Sequence, residues 1–374
     1  MHIAIVIPGL DRIAGAERQV MLLAPGLHRR GWKVSVVALS GTGGPSAAEL
    51  AAQGIGFLSL GMRKGLADPR GWLRFNRWLR RERPDVVHAH LPHAAWLARC
   101  SRLAAPVRVL VDTIHTSATG TLGRRLGYRW SDWLPDKVTA VSPAVADSHL
   151  HAGMVTADRL AVLPNGVDTD AWLPDPITRA KVRNGLGLDD EFLWLAAGRL
   201  EPVKDYPTLL QAMAAVPPPA RLIIAGGGPL ENHLRNLTRE LGLEPRVRFL
   251  GFQPDLRPWM QAADGFVLSS LWEGLPMALL EAAACAVPAV ATDVPGTGEV
   301  ILPGQTGFLA VAGGALALQE AMTRLMQTPR EERAAMGRRA RQLVLDRYSL
   351  HAVLDQWEQL YADLLRQNPR PSRF

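Results

Sequence analysis

The segment Leu271-Trp272-Glu273-Gly274-Leu275-Pro276-Met277-Ala278-Leu279-Leu280-Glu281-Ala282 sets two acids eight positions apart around a glycine-proline turn. Pro276 suits the first position of a helix, where its fixed φ helps and its missing N–H is not needed. The alanine- and leucine-rich run that follows predicts a helix, with Glu273 in the turn before it and Glu281 two turns inside. Free N–H groups and the helix dipole make such a helix start a site for phosphate.

Two carboxylates on either side of a phosphate site favour a ligand with hydroxyl groups at both ends and a diphosphate between them. A nucleotide-sugar has this layout, and each carboxylate can accept hydrogen bonds from two hydroxyl groups. A solvated helix face is the alternative explanation for Glu273 and Glu281. The apolar residues around Glu281 argue against it, because they predict that the helix is buried.

Length and composition predict a protein of two domains. A chain of 374 residues exceeds what one hydrophobic core usually serves, and a hydrophobic content of 48% excludes wholesale disorder. Cys100 and Cys285 form neither a disulfide framework nor a zinc pattern, which is typical of a reducing compartment. The first apolar run, Ile3 to Ile7, is too short for a signal peptide or a membrane span, so we expect a cytoplasmic protein, soluble or peripheral on the membrane.

The charge is concentrated in the first half of the chain. Up to Asn165 there are 21 Lys and Arg against 11 Asp and Glu, a balance of +10, whereas from Gly166 onward the balance is 21 against 24, or −3. A basic surface favours an anionic partner. We expect a membrane surface rather than nucleic acid, since no recognised nucleic-acid module is present.

The segment from Trp72 to Arg83 interleaves aromatic residues and arginines. It fits either an interfacial membrane helix or an amphipathic helix on the first sheet, and we favour the second, with its arginines facing outward toward anionic lipid. Arg124, Arg125 and Arg129 extend this basic patch.

Short apolar runs alternate with helix-like stretches along the whole chain, which predicts parallel βαβ units and two Rossmann-like domains. Predicted strands are 3–8, 33–39, 86–90, 107–114, 138–141, 160–163, 193–197, 221–225, 247–250, 265–269, 289–292 and 307–309. The turn at Asn165-Gly166 divides the chain into domains 1–165 and 166–349. The final helix, from Tyr348 to Leu365, either crosses back to the first domain or caps the second.

These landmarks together resemble the retaining glycosyltransferases of the GT-B fold, in the large family numbered four. In the second half the matching motifs are Gly198-Arg199-Leu200 with Lys204, Ala225-Gly226-Gly227-Gly228-Pro229, Phe249-Leu250-Gly251, Glu273 to Glu281, and Pro295 to Val300. In the first half they are Ala14-Gly15-Ala16-Glu17, His88-Ala89-His90, Ile114-His115-Thr116 and Val141-Ser142. The family often has two adjacent glycines where this chain has Ala14-Gly15.

The resemblance implies two Rossmann-like domains facing across a cleft, with a terminal helix at about 350–374 returning to the first domain. It implies retaining transfer of a hexose-type sugar from a nucleotide-diphosphate donor, a UDP-sugar by expectation, to a lipid-linked, polysaccharide or glycolipid acceptor, without a metal cofactor. The implied catalytic residues are His115, Arg199, Lys204 and Glu273. The implied donor-binding residues are Gly15, Arg199, Lys204, Gly227, Gly251, Phe252, Glu273, Gly274, Leu275, Met277 and Glu281, and Glu17, His90 and His115 are placed on the acceptor side.

The expected roles follow from side-chain chemistry. Arg199 and Lys204 are counter-ions for the diphosphate, although two basic loop residues are often simply solvated. By resemblance Glu281 holds the ribose hydroxyls, Glu273 the hydroxyls of the transferred sugar, and His115 lies against that sugar. His88, His90 and His93 make a poor metal site, because no acid or cysteine completes it.

Two other classes of protein share these features. A GT-B-like sugar-nucleotide epimerase needs an acid/base pair that the sequence does not supply. A non-catalytic nucleotide-sugar-binding scaffold would have lost some of Arg199, Lys204, Glu273 and Glu281, yet all four are present. The sequence identifies neither the base, the sugar, the acceptor nor the linkage.

Overall fold

The computed structural model describes residues 1–63 and 68–369, which form two compact units. Unit 1 comprises residues 1–166 together with the segment from 350, and unit 2 comprises residues 167–349. The division after Asn165 that the sequence indicates differs from this one by a single residue. The last residues of the predicted terminal segment, 370–374, lie outside the described residues.

Unit 1 is built on a seven-stranded parallel sheet with strand order β3-β2-β1-β4-β5-β6-β7. Its strands are β1 His2–Ile7, β2 Lys33–Ala38, β3 Gly56–Ser59, β4 Val86–His90, β5 Val109–Ile114, β6 Lys137–Ala140 and β7 Leu160–Val162. Its helices are α1 Gly15–Arg29, α2 Gly44–Ala52, α3 Pro69–Glu82, α4 Pro92–Arg102, α5 Leu122–Trp130 and α6 Pro143–His151, with α14 Leu350–Gln367 from the end of the chain.

Unit 2 is built on a six-stranded parallel sheet with strand order β10-β9-β8-β11-β12-β13. Its strands are β8 Phe192–Ala197, β9 Ala220–Ala225, β10 Val247–Gly251, β11 Gly265–Leu268, β12 Ala289–Thr292 and β13 Gly307–Ala310. Its helices are α7 Pro176–Leu186, α8 Tyr206–Ala215, α9 Glu231–Glu240, α10 Arg257–Ala262, α11 Met277–Ala284, α12 Ala315–Gln327 and α13 Arg330–Arg347, with a 3₁₀ turn at Pro202–Lys204.

Alternation along the strands explains why each sheet is covered on both faces. In β1, Ile3, Ile5 and Ile7 belong to one core cluster, whereas Ala4 and Val6 belong to the cluster on the opposite face. Successive side chains of a strand point to opposite faces, so a continuous apolar run needs helices on both sides. The predicted architecture of two Rossmann-like units is therefore confirmed.

The terminal helix α14 packs in unit 1, which settles the alternative that the sequence leaves open. Its residues Leu354, Trp357 and Tyr361 join the same core cluster as β1. A β-carbon added at Gly26 of α1 would lie 2.6 Å from the Leu354 side chain, so the glycine allows the two helices to approach closely. Arg30 at the end of α1 forms ion pairs with Asp355 and Glu358.

Two local predictions differ from the structure. Strand β3 is not among the predicted strands, because its four half-exposed residues lie at the edge of the sheet and lack a strong apolar run. Pro276 is not the first helical residue but the N-cap, with an extended ψ of 113°, and α11 begins at Met277. Glu281 is therefore the fifth residue of the helix, little more than one turn inside it rather than two.

Candidate functional site

The strand order of unit 2 reverses between β8 and β11, and the predicted donor-site residues cluster there. β8 and β11 are neighbours, and β8 continues into Gly198-Arg199 whereas β11 continues into Ser269 to Glu273. In open α/β sheets, ligands bind at the carboxyl ends of the strands beside such a reversal. The fold thus brings together two loops that are about seventy residues apart in sequence.

Backbone and hydroxyl hydrogen bonds fix these two loops to each other. The Ser269 hydroxyl donates to the Lys204 carbonyl oxygen at 2.8 Å, and the Leu271 N–H donates to the Val203 carbonyl oxygen at the same distance. The Thr292 hydroxyl, at the end of β12, donates to the Ser270 carbonyl oxygen at 2.5 Å and ties the second loop to the neighbouring strand. Side chains carried by these loops are consequently held in a defined arrangement.

Lys204 and Glu273 form an ion pair across the two loops. The Lys204 Nζ lies 2.5 Å from Glu273 Oε1, and the side chains are only 22% and 11% exposed. The Ser270 hydroxyl donates to the same carboxylate oxygen at 2.6 Å. Burial, and secondarily the charge of Glu273, raise the pKa of the neighbouring Tyr206 phenol. Lys204 and Glu273 have separate roles in the prediction from sequence, which indicates neither this pairing nor the contribution of Ser270 and Tyr206.

Arg199 is the more exposed of the two predicted phosphate ligands. Its side chain is 56% exposed and pairs with Glu201 at 2.5 Å. An exposed pair of this kind is weak and readily exchanged, since it gains little Coulomb energy in water. The guanidinium can therefore rotate toward a bound anion at small cost.

Helix α11 is buried, as its apolar residues predict, and it carries a carboxylate inside the unit. Glu281 is 1% exposed. Burial raises the pKa of the Cys285 thiol, one turn further along, to about 12, and the charge of Glu281 adds to the shift. A solvated helix face is therefore excluded as the reason for this acid.

The glycine turn after β9 has two glycines that the fold requires and one that it does not. A β-carbon at Gly226 would lie 1.9 Å from the Gly198 carbonyl oxygen, and one at Gly228 would lie 2.5 Å from the Leu200 carbonyl oxygen. A β-carbon at Gly227, the predicted donor-binding residue, would meet nothing within 4 Å. The protein leaves open space at this position beside the Arg199 loop.

Other predicted donor residues lie around the same sheet edge. Gly251 ends β10 with a left-handed φ of +69°, and Phe252 after it is 76% exposed. Gly274, Leu275 and Met277 are buried in the turn that leads into α11. In unit 1, Gly15 is the first residue of α1 and also has open space around its β-carbon position.

The predicted histidines of unit 1 form a buried hydrogen-bonded group. His90 Nδ1 lies 2.9 Å from His115 Nε2, and His88 is held between the Tyr361 hydroxyl at 2.7 Å and the Thr113 hydroxyl at 2.6 Å. Burial lowers the pKa of His88 to about 3 and that of His115 to about 4, and it lowers the pKa of His90 as well. All three rings are therefore neutral at physiological pH.

His90 is placed to orient His115 rather than to meet a ligand itself. Its ring is fully buried, whereas His115 follows β5 and lines a small recess. A neutral imidazole has one donor and one acceptor nitrogen, so the His90–His115 bond sets which nitrogen of His115 carries the proton. Glu17, predicted on the acceptor side, accepts a hydrogen bond from the Ala14 N–H at 3.1 Å and so caps the start of α1.

Two further features concern metals and membranes. No group of three His, Cys, Asp or Glu side chains within residues 1–63 and 68–369 is arranged to hold a metal ion. Over the same residues, every helix is too short or too polar to cross a bilayer.

Comparison with known proteins agrees with this fold. The family described as "Glycosyl transferases group 1" matches residues 178–343, and "Glycosyltransferase Family 4" matches residues 13–171. A GDP-mannose-dependent alpha-(1-6)-phosphatidylinositol monomannoside mannosyltransferase of Mycolicibacterium smegmatis is 35% identical, over 71% of this chain and 73% of its own. The chain thus belongs to the group 1, or family 4, glycosyltransferases.

A second relative matches a larger share of the chain, and a solved structure has the same fold. A UDP-Gal:alpha-D-GlcNAc-diphosphoundecaprenol alpha-1,3-galactosyltransferase of Escherichia coli is 26% identical, over 80% of this chain and 81% of its own. The crystal structure of Anabaena HepE in complex with UDP superposes with a TM-score of 0.87, at 22% identity, over 97% of this chain and all of that one. The fold is accordingly GT-B.

Proposed function

We propose that this protein is a retaining glycosyltransferase that moves a hexose-type sugar from a UDP-sugar to a lipid-linked acceptor or a related glycolipid or polysaccharide. The observation that carries the proposal is the joining of Arg199, Lys204, Glu273 and the start of α11 at the strand-order reversal of unit 2. Two cationic side chains and a helix start suit a diphosphate, and the flanking carboxylates suit hydroxyl groups.

The proposed donor lies along this edge of the sheet. Its diphosphate rests on Arg199, Lys204 and the N–H groups at the start of α11, with the backbone at Gly227 close by. Glu281 accepts hydrogen bonds from the ribose hydroxyls. Glu273 accepts hydrogen bonds from the hydroxyl groups of the transferred sugar. Lys204, which forms the ion pair with Glu273, also contacts the phosphates.

The proposed reaction is a front-face displacement without a covalent intermediate. The acceptor hydroxyl attacks the anomeric carbon as the bond to the diphosphate breaks, and a donor phosphate oxygen takes the acceptor proton. Arg199 and Lys204 stabilise the charge that develops on the leaving diphosphate, which is the role a metal ion has in other transferases. We therefore propose metal-independent transfer, and full activity in excess EDTA is the expected result.

The relatives support the donor and acceptor classes. The Escherichia coli relative is named for UDP-Gal and a diphosphoundecaprenol-linked acceptor, and the Mycolicibacterium smegmatis relative is named for GDP-mannose and a phosphatidylinositol mannoside. We propose UDP as the nucleotide of the donor, because the Escherichia coli relative, named for UDP-Gal, matches a larger share of this chain than the GDP-mannose-dependent relative does. Both relatives act on acceptors attached to lipids.

A thermal-shift panel of UDP- and GDP-sugars tests the donor site. A bound sugar nucleotide at about 100 times its Kd stabilises by about 2.7 kcal/mol, which raises the Tm of a unit this size by roughly 5 to 10 °C. The Glu281→Gln variant, which keeps the shape of the side chain, should lose most of that shift, whereas Glu240→Ala at the exposed end of α9 should keep it. A wild type that no sugar nucleotide stabilises, or a Glu281→Gln variant that responds like the wild type, contradicts the proposal.

Incubation with the preferred UDP-sugar distinguishes a glycosyltransferase from an epimerase and from a non-catalytic scaffold. An epimerase changes the sugar in the absence of any acceptor, and a scaffold binds the donor but transfers nothing to lipid-linked acceptors. Transfer only when an acceptor is present supports the glycosyltransferase.

We also propose that unit 1 contacts an anionic membrane surface, and that helix α5 makes this contact. The aromatic residues of α3 are turned inward, with Phe75 and Trp78 buried and stacked, as the sequence favoured. Helix α5 instead exposes Leu122, Leu126 and Trp130 beside Arg125 and Arg129. Apolar side chains flanked by arginines suit the boundary of an anionic bilayer, and unit 1 carries the whole basic excess of the chain.

Co-sedimentation with phosphatidylglycerol vesicles tests this surface. The Leu126→Ser/Trp130→Ser variant should lose binding without losing stability, because exposed side chains contribute little to folding. Ile177→Ser, which removes an equally exposed apolar residue from unit 2, is the matched control and should bind like the wild type. Equal binding by the α5 variant contradicts the assignment.

A further inference from the structure

Unit 1 contains a large groove that neither the predicted donor residues nor the histidine group explains. It has a volume of about 1020 Å³ and opens at the carboxyl ends of β1, β2 and β3, between the helices α3, α4 and α5. Its lining is mainly apolar and includes Met62, Trp72, Trp96 and Leu97. A volume of this size accommodates a ligand at the upper end of what protein pockets hold.

Charged groups line the same groove: its carboxylates have hydrogen-bond partners within the described residues, whereas its guanidinium groups do not. Each carboxylate accepts hydrogen bonds from backbone N–H groups. The donors are Thr42 and Gly43 for Asp11, Ala14 for Glu17, and Arg70 for Asp68. The guanidinium groups of Arg12, Arg63 and Arg124 have no hydrogen bond or ion pair with another part of the described chain. The groove therefore offers apolar walls together with cationic groups that remain available.

Arg124 lies where the groove meets the predicted reaction centre of unit 1. It lines both the groove and the small recess that contains His115. An anionic group at Arg124 would therefore have apolar walls on one side and His115 on the other.

We infer that this groove binds the acceptor through a prenyl-type chain carried on a diphosphate. The chain lies between Met62, Trp72, Trp96 and Leu97, the diphosphate meets Arg124, and the sugar attached to the diphosphate extends toward His115. The Arg124 guanidinium attracts a diphosphate linkage, with two negative charges, more strongly than a phosphodiester with one. The inference deepens the proposed function, since it rests on that function for the sugar and commits the acceptor class to a lipid diphosphate.

Gly123 provides a variant that fills the groove without straining the fold. It lines the groove on the first turn of α5, and a β-carbon there meets nothing within 4 Å. Gly123→Phe therefore places a ring in the path of the chain. Gly185→Phe is the matched control, because Gly185 lies on an exposed part of α7 with the same open surroundings.

Isothermal titration with farnesyl diphosphate, in saturating UDP so that the donor site is filled, tests the inference. Wild type and Gly185→Phe should bind farnesyl diphosphate with equal affinity, and Gly123→Phe should bind it at least tenfold more weakly. The wild type should bind farnesol, which lacks the anion, at least tenfold more weakly than farnesyl diphosphate. Arg124→Gln should weaken binding of farnesyl diphosphate and leave farnesol unchanged.

The opposite results overturn the inference. These are no binding of farnesyl diphosphate to the wild type, equal binding by Gly123→Phe, or tighter binding of dihexanoyl phosphatidylinositol than of farnesyl diphosphate. A separate titration with UDP alone tests the donor site, so a failure of the proposed function is distinguishable from a failure of the groove.

Discussion

Replacing Lys204 by Met removes the cation of the buried pair and should affect stability and catalysis by different amounts. The ammonium lies 2.5 Å from Glu273, and both side chains are less than one quarter exposed. Breaking a fully buried pair costs about 3–5 kcal/mol. Because this pair is partly solvated and the Ser270 hydroxyl still donates to the carboxylate, we expect about 1–2 kcal/mol, or a Tm lower by roughly 2–8 °C.

The catalytic loss should be larger than the loss of stability. Removing one preorganised group that stabilises developing charge typically costs about 2.7–4 kcal/mol, a fall of roughly 100- to 1,000-fold in kcat. The Glu273→Gln variant separates the two functions of the pair, because it frees the ammonium from its counter-ion. We expect Glu273→Gln to bind UDP as tightly as the wild type or more tightly while transferring slowly, and Lys204→Met to bind UDP more weakly.

Calorimetric titration of UDP and initial transfer rates measure these effects, with urea unfolding as the check on folding. Lys181→Met removes an exposed cation from α7 and is the matched control for the change in net charge. If Lys204→Met binds UDP like Lys181→Met, the amine does not contact the diphosphate and our reasoning about the pair is wrong.

The glycine turn and the histidine group give two further predictions. Gly227→Val should fold normally yet weaken donor binding at least tenfold, because its side chain fills the open space beside the Arg199 loop. Gly228→Ala should instead lose about 1–3 kcal/mol of stability, since its β-carbon meets the Leu200 backbone. Urea unfolding measures the effect on stability and UDP titration the effect on donor binding; normal donor binding by Gly227→Val would contradict the assignment of this space to the ligand. Burial lowers the pKa values of His90 and His115 below that of an unfolded histidine, so the unfolded chain binds more protons around and below pH 6.5, and stability should fall as the pH drops from there toward 4. His90→Asn should reduce that slope by up to about 1.4 kcal/mol per pH unit in urea unfolding between pH 6.5 and 5. An unchanged slope would show that His90 is not kept neutral.

The fold could be predicted from the sequence because its signals are local. Strands such as β1 and β8 are continuous apolar runs, and each is followed by a helix pattern, which together specify parallel βαβ units. Strand β3 lacked such a run, and the N-cap at Pro276 differs from the predicted position by one residue, which is the usual uncertainty at helix ends.

The pairings within the site could not be predicted, because they join residues far apart in the chain. Lys204 meets Glu273 across 69 positions, and Tyr361 meets His88 across 273. No periodicity connects such residues: the strand order brings Lys204 to Glu273, and the packing of α14 in unit 1 brings Tyr361 to His88. Helix α5 shows the complementary problem: Leu122, Leu126 and Trp130 have the spacing of a core-facing stripe, yet they face solvent.

The decisive measurement is the anomeric configuration of the transferred sugar in the product. The UDP-sugar selected by the thermal-shift panel is incubated with the protein and a prenyl diphosphate-linked acceptor, and the first product is analysed by proton NMR before it can equilibrate. We predict that the transferred sugar keeps the configuration it had in the donor. A product of inverted configuration, or transfer only to water, would contradict a retaining glycosyltransferase built on Arg199, Lys204, Glu273 and Glu281.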